Sequence, residues 1–216
     1  MRGGCSARQG RACSSTGPTA VGPATIVRLP LRSETLTGRE MGPVSLIFVG
    51  TREQVDSAFA AAGWSEADPV NIHTILRLYS AGLHHQAYPS APVTPAFLAG
   101  RPQDLAFELA VDAGSVSKRH HTRIWASGFA LADGTPIWVG TASLDDRVEI
   151  KFPSILPNHH IAPAIDRERD FILSSLRATG AVVRETRLQA VLPELGTNAA
   201  GDPFFTYGVA VVMYLR

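Results

Sequence analysis

Long apolar runs are missing from this 216-residue chain. No stretch approaches the roughly 18 to 20 consecutive apolar residues that a membrane-spanning helix requires, so no such helix is expected. Cysteine is nearly absent. Cys5 and Cys13 both fall in the N-terminal segment, and one pair at that spacing is neither a zinc motif nor a disulfide framework. The chain therefore reads as one held in a reducing compartment, or indifferent to redox state. Three familiar reaction motifs are lacking as well: no GxSxG elbow, no P-loop and no GxGxxG. The opening residues start basic but have no apolar core of about 7 to 15 residues, which argues against a secretory signal.

A strong charge of one sign is also lacking. The net charge is +1, but residues 1 to 33 hold five arginines and no acid. The remainder carries 15 basic against 19 acidic residues, a balance of −4. A mildly acidic domain behind a short basic leader gives no electrostatic reason to expect nucleic acid as partner. What is present is ordinary for a globular protein, with 45% apolar and 18% charged residues, enough to bury one full-sized core. Residues 1–23 are rich in Gly, Ser and Pro and read as a disordered leader; residues 24–216 read as one domain.

Within that domain "ATIVRLPL" (24–31) reads as a short strand, and "PVSLIFVG" (43–50) as a buried one. "TREQVDSAFAAAG" follows with Thr51 and Gln54 at capping-box spacing, Val55, Phe59 and Ala62 on one face, and Gly63 as a stop. A second helix is expected over 71–83, and the proline-rich stretch 88–103 as a surface loop. Strands are expected over 104–111, 147–152, 181–192 and 205–215, with a helix through "AIDRERDFILSSLRATG". "RHHTRIWASGFALADGTPIWVGTAS" (119–143) reads as a hairpin turning at Asp133-Gly134. A two-residue turn there pairs Phe129 with Trp138, Trp125 with Ala142 and His121 with Asp146. A bulge near Gly128 would move that register and exchange the faces. The order of elements predicts an α+β single domain, with a mainly antiparallel β-sheet flanked by three helices and covered on both faces.

Six of the seven histidines stand in adjacent doublets. In "KRHHTRIW" the two imidazoles must point to opposite faces of a strand, so one of His120 and His121 could serve a site. Asp145 or Asp146 across the hairpin would orient it, while Arg119 and Arg123 could hold an anion through their forked donors. Ordinary cross-strand ion pairs would explain the same residues. In "PNHHIAPAIDRERDF", His159 and His160 precede a helix carrying Asp166 and Asp170 at i,i+4 spacing. Either these are ligands, or Asp166 caps the helix and Arg167, Arg169 and Arg177 neutralise both acids. His84 and His85 sit at a helix end, where a capping role suffices. Arg101 stands at a loop-to-strand junction and could contact an anionic ligand; Asp202 reads first as a turn residue. His120, His121, Asp146, His159, His160, Asp166 and Asp170 together could bind a divalent metal such as Zn, Mn or Fe. The metal-free version uses His121, His160 and Asp166 as catalytic groups and Arg101, Arg119 and Arg123 as anion clamps.

The segments "FVGTREQVDSAFAAAGW", "YPSAPVTPAFLAGRPQDLAFE", "KRHHTRIW", "PIWVGTASLDDRVEI", "NHHIAPAIDRERDF" and "AGDPFFTYG" resemble the LssY C-terminal domain family. The resemblance covers residues 41 to about 212. It implies a bacterial origin, and association with membrane or secretion proteins such as a type I secretion component. It also implies a cytoplasmic location peripheral to the cytoplasmic membrane, without a transmembrane segment here. Taken with the residues, the expectation is a metal-dependent or histidine-based hydrolase acting on a phosphorylated or anionic, phospholipid-like substrate. The alternative is a non-catalytic ligand-binding or interaction module.

Overall fold

The computed structural model describes residues 18–84, 86–112, 118–149, 158–198 and 200–216. The elements run α1 (Pro23–Ile26), β1 (Arg32–Glu34), β2 (Glu40–Pro43), β3 (Leu46–Val49), α2 (Arg52–Ala61), β4 (Ser65–Glu66), α3 (Ile72–Leu83), β5 (Phe97–Leu98), β6 (Arg101–Pro102) and β7 (Leu105–Ala110). They continue with β8 (Arg119–Ala130), β9 (Pro136–Glu149), β10 (Asn158–Ile161), α4 (Ile165–Ala178), β11 (Val182–Gln189), β12 (Glu194–Thr197), β13 (Pro203–Thr206) and β14 (Val209–Leu215). The main sheet has the order β11-β14-β3-β9-β8-β7-β4, with β10 added beside β9. All its pairings are antiparallel except β14 with β3. This is the expected α+β architecture.

Alternation along the two innermost apolar strands explains why both sheet faces are covered. Leu46 and Phe48 of β3, with Val211, Met213 and Leu215 of β14, pack under Phe59 of α2 and Ile172 and Leu176 of α4. Ile47, Val49, Val212 and Tyr214 point the other way, into a second core closed by Ile26 of α1 and the loop residues Leu29, Val44 and Ala96. A strand buried on both faces must be apolar at every position, and "LIFV" is fully so. The Thr51–Gln54 capping box starts α2 as its spacing predicts.

Several expectations change. The segment 24–31 is not a strand: Pro23 at the first helical position and the Gly22 cap start the short helix α1 instead. Residues 1–17 of the expected leader lie outside the described residues, while Val21 is buried and its N–H donates to the Tyr214 hydroxyl. Residues 147–152 do not form a separate strand. β9 runs on to Glu149, and 150–157 lie outside the described residues. "NHHI" forms β10, paired to the far end of β9, where a loop was expected. Two-residue strands interrupt the 88–103 loop, and β12 and β13 form an additional hairpin.

The hairpin register is the consequential correction. β8 and β9 pair Ala130 with Pro136 at the turn, then Ala126 with Trp138, Trp125 with Val139, His121 with Ser143 and Arg119 with Asp145. The turn is longer than two residues. A bulge at Gly128 (φ 77°) then shifts the strands further. The net displacement is odd, so residues expected to share a face are separated: Trp125 and Trp138 lie in opposite cores.

Two glycines test this account by urea unfolding. At Gly128 an added Cβ meets open space, so Gly128→Ala should lose about 1–2 kcal/mol from the left-handed backbone alone. Gly208 (φ 74°) combines the same conformation with a Cβ that would run into the Val191 carbonyl, so Gly208→Ala should cost more.

Candidate functional site

The corrected register gathers polar side chains from three adjacent strands on one sheet face. Glu108 of β7 pairs with His121 of β8, which pairs with Ser143 of β9. One step along, Arg119 pairs with Asp145, which in turn faces Ile161 of β10. One step the other way, Arg123 lies opposite Thr141. Arg119, His121, Arg123, Thr141, Ser143 and Asp145 form the floor of a cavity of about 290 Å³. Its walls come from elsewhere in the chain: Met41–Pro43 of β2, the loop residues Pro92–Ala96, Ile161, Ile165, and Asn198, Ala200 and Phe204 of the β12–β13 hairpin.

The floor is highly charged for a buried surface. Glu108, Arg119, His121 and Asp145 are all buried. Arg119 Nη1 donates to Glu108 Oε2 at 2.5 Å, and His121 Nδ1 lies 3.4 Å from Asp145 Oδ1. Arg119 Nε is also buried and has no hydrogen-bond partner among the described residues. Arg123 keeps some surface open, and its Nε donates to the Thr94 carbonyl at 2.9 Å, tying the wall to the floor. Burial pushes Glu108 up to about 8; Arg119 and Arg123 oppose the shift and Asp145 adds to it. Desolvation also lowers the Arg123 guanidinium, against the pull of Asp145 and Glu108. Near neutral pH Glu108 therefore carries a proton much of the time. Two guanidiniums are then set against the single carboxylate of Asp145, and the cavity floor has an excess of positive charge.

The second doublet meets the wall, not the floor. His160 Nδ1 is 2.5 Å from Asp202 Oδ1, and Asp202 Oδ2 accepts from Asn198 Nδ2 at 2.9 Å. Burial raises the Asp202 pKa, but the hydrogen bonds from His160, Asn198 and the Ile161 N–H outweigh it, and the net shift is downward. The pair pins the β12–β13 turn, and with it Asn198, over the cavity. Asp202 is thus a turn residue with a second, long-range partner. His160 itself does not line the cavity.

The remaining candidates are dispersed. His120 faces the other core, where Nδ1 is 2.7 Å from Glu168 Oε1 and the ring stacks on Phe171 at 3.9 Å. Asp166 accepts from Arg169, the Thr206 hydroxyl and the Tyr207 N–H. Asp170 pairs with Arg169 and Arg187 at the surface. Burial raises its pKa, but the two arginines outweigh it and the net shift is downward. Arg101 is exposed beside Asp104 and lies outside the cavity lining. Asp146 and His159 lie on β9 and β10, and their side chains fall outside the described set. The expected pairing of His121 with Asp146 is replaced by Ser143 directly opposite and Asp145 at the ring. His84 caps α3 as its position suggests, and His85 is outside the described residues. Among the described residues no group of three His, Cys, Asp or Glu side chains converges as a metal site.

Glu108, Thr141 and Ser143 were not foreseen. An acid inside the apolar run "DLAFELAV" was the available sign for Glu108, since a strand carries a buried charge only where a partner waits. Nothing local marks Thr141 or Ser143.

Residues 26–209 match the family model described as LssY C-terminus. The match spans most of the chain, which belongs to this family. Searches of curated proteins and of solved structures gave no match. No described helix is long and apolar enough to cross a membrane.

The Glu108 shift has a signed consequence. Its folded pKa of about 8 lies above the ordinary 4.5, so the folded state holds a proton across that window that the unfolded chain gives up. Stability from this group is complete below about 4.5 and declines as pH rises toward 8. Urea titrations from acidic to mildly alkaline pH should show the decline, and Glu108→Gln should flatten it. Arg119→Met removes the partner that stays charged in both states, and should cost about 3–5 kcal/mol once Glu108 ionises.

Proposed function

We propose that this member of the LssY C-terminal family binds a small anionic ligand in the cavity over β8 and β9. Arg119 and Arg123 supply the counter-charge and His121, oriented by Asp145, the acid–base group. The supporting observation is the pairing of two guanidiniums with an imidazole on one cavity floor, above a glutamate whose burial holds its proton. An anion entering there would meet Arg119 and Arg123 in a low-dielectric setting, where charge-assisted hydrogen bonds are strong. With Nδ1 directed at Asp145, Nε2 is the ring nitrogen through which His121 would exchange a proton with the ligand.

Hydrolysis of a phosphorylated substrate is the finer form of this reading, and the His121–Asp145 pair is its support. His160 and Asp166 would act only indirectly, by holding the wall and the α4–β13 junction. A cytoplasmic site of action beside the membrane rests on the company that the family resemblance implies. The metal-dependent version has less support: His121 and Asp145 are two donors, and a mononuclear site needs about three protein ligands. A non-catalytic binding module uses the same cavity, and lacks only turnover.

Calorimetry with inorganic phosphate and phenyl phosphate, alongside a hydrolysis assay of phenyl phosphate, tests the proposal. Wild type should bind both. Arg123→Gln should weaken binding about tenfold or more, the size of one lost charge-assisted hydrogen bond. His121→Gln should reduce turnover far more than affinity. Binding should also weaken as pH rises through about 8, where ionised Glu108 competes for Arg119, and Glu108→Gln should remove that dependence. Unaltered phosphate affinity in Arg123→Gln would contradict the assignment.

A further inference from the structure

Resting on the reading of the cavity as an anion site, we infer the class of ligand it selects: a monoanion carrying one short apolar body, such as a medium-chain carboxylate or monoalkyl phosphate. The two halves of the cavity differ in chemistry. Its floor is the charged set on β8 and β9, with Thr141 and Ser143 as the neutral polar members. Opposite lie Met41, Pro43, Val93, Ile165 and Phe204, of which all but Met41 are buried. A fully hydrated ion such as inorganic phosphate would leave that apolar wall facing a polar ligand and gain nothing from it. A ligand with an anionic end on the guanidiniums and a hydrocarbon end on the wall satisfies both halves.

Volume and charge narrow the class further. About 290 Å³ stands at the small end of ligand cavities, which run from roughly 300 to 1,000 Å³. A metabolite-sized body can be enclosed, while the paired long chains of a membrane lipid cannot. Charge points to one negative unit: with Glu108 protonated, Arg119 and Arg123 exceed Asp145 by one. The other titratable groups facing this set are His121 on β8 and, through the wall, the His160–Asp202 pair.

Phe204 is held at the wall by an unusual contact. It lies directly across the β12–β13 hairpin from Gly196, where any Cβ would collide with the ring. The glycine lets the ring lie flat over its own hairpin, so Phe204 adds an aromatic surface to the wall without filling the cavity. Gly196 is thus a positioning residue for the apolar half of the site.

The test is calorimetry on the full chain with acetate, butanoate, hexanoate, inorganic phosphate, butyl, hexyl and dodecyl phosphate, and neutral hexanol. Co-sedimentation with phosphatidic-acid vesicles separates a free amphiphile from a lipid headgroup. Each of the first methylenes should tighten binding about threefold to fourfold, so hexyl phosphate should bind at least about tenfold tighter than inorganic phosphate. Dodecyl phosphate should gain nothing over hexyl phosphate, and hexanol and vesicles should not bind. Met41→Ala should reduce the ratio of hexyl phosphate to inorganic phosphate affinity, whereas Arg123→Gln should weaken both ligands together. Equal affinity for inorganic and hexyl phosphate overturns this inference while leaving the anion site standing. A gain that continues to dodecyl phosphate, or strong vesicle binding, overturns it in favour of a lipid. If no anion binds at all, the anion site fails and this inference with it.

Discussion

The pairing of β8 with β9 is the constraint through which every polar group of the cavity floor acquires its neighbours. Because side chains alternate across a strand, one register puts Arg119, His121, Arg123, Thr141, Ser143 and Asp145 on the same face, and a slip of one residue would scatter them. The bulge at Gly128 sets that register. It also explains how Ile124 and Trp138 can serve the helix-side core while Trp125, Ile137 and Val139 serve the other. Packing on both faces then locks the register, since any slip would drive charges into one core or the other.

Burying this much charge is costly unless the groups compensate one another. Glu108 and Arg119, nearly without exposure, do so by direct contact, and Glu108 lessens the remaining cost by keeping its proton. A core built for stability alone would put apolar side chains at these positions, because replacing buried ion pairs by well-packed hydrophobic groups is often neutral or stabilising. The retention of two arginines, two acids and an imidazole on a central pair of strands therefore points to use. The cavity above them gives that use a location, and the apolar wall gives it a selectivity.

The two histidines of "KRHHTRIW" show how completely burial context assigns roles to identical side chains. His121 faces the cavity beside Asp145. His120, one residue earlier, is stacked on Phe171 and bonded to Glu168 of α4, and so fastens the helix to the sheet. A similar division runs through the α4 region. Arg169 neutralises Asp166 and Asp170 from within the helix and also reaches the Val209 carbonyl. The i,i+4 acids are thereby satisfied without any ligand. His160 and Asp202 hold the hairpin that closes the cavity.

Much of the fold was legible locally. The α2 capping box, the apolar run of β3, the opposite pointing of His120 and His121, and the two-sided covering of the sheet all follow from periods of 3.6 and 2 and from hydrogen bonds within a few residues. The family resemblance was likewise carried by short segments of sequence. Three things were decided only by tertiary structure. One was the hairpin register, since turn length and a left-handed glycine compete with a simple Asp-Gly turn, and only packing on both faces arbitrates. Another was the partnership of Glu108 with Arg119 and of His160 with Asp202, residues 11 and 42 positions apart along the chain. The third was the wall, since Met41, Val93 and Phe204 come from three distant segments whose meeting is dictated by the order of strands. The sequence by itself determined which residues were capable of chemistry. The tertiary structure decided which of them meet, because burial, register and long-range pairing depend on strands that the chain brings together only when the whole sheet forms.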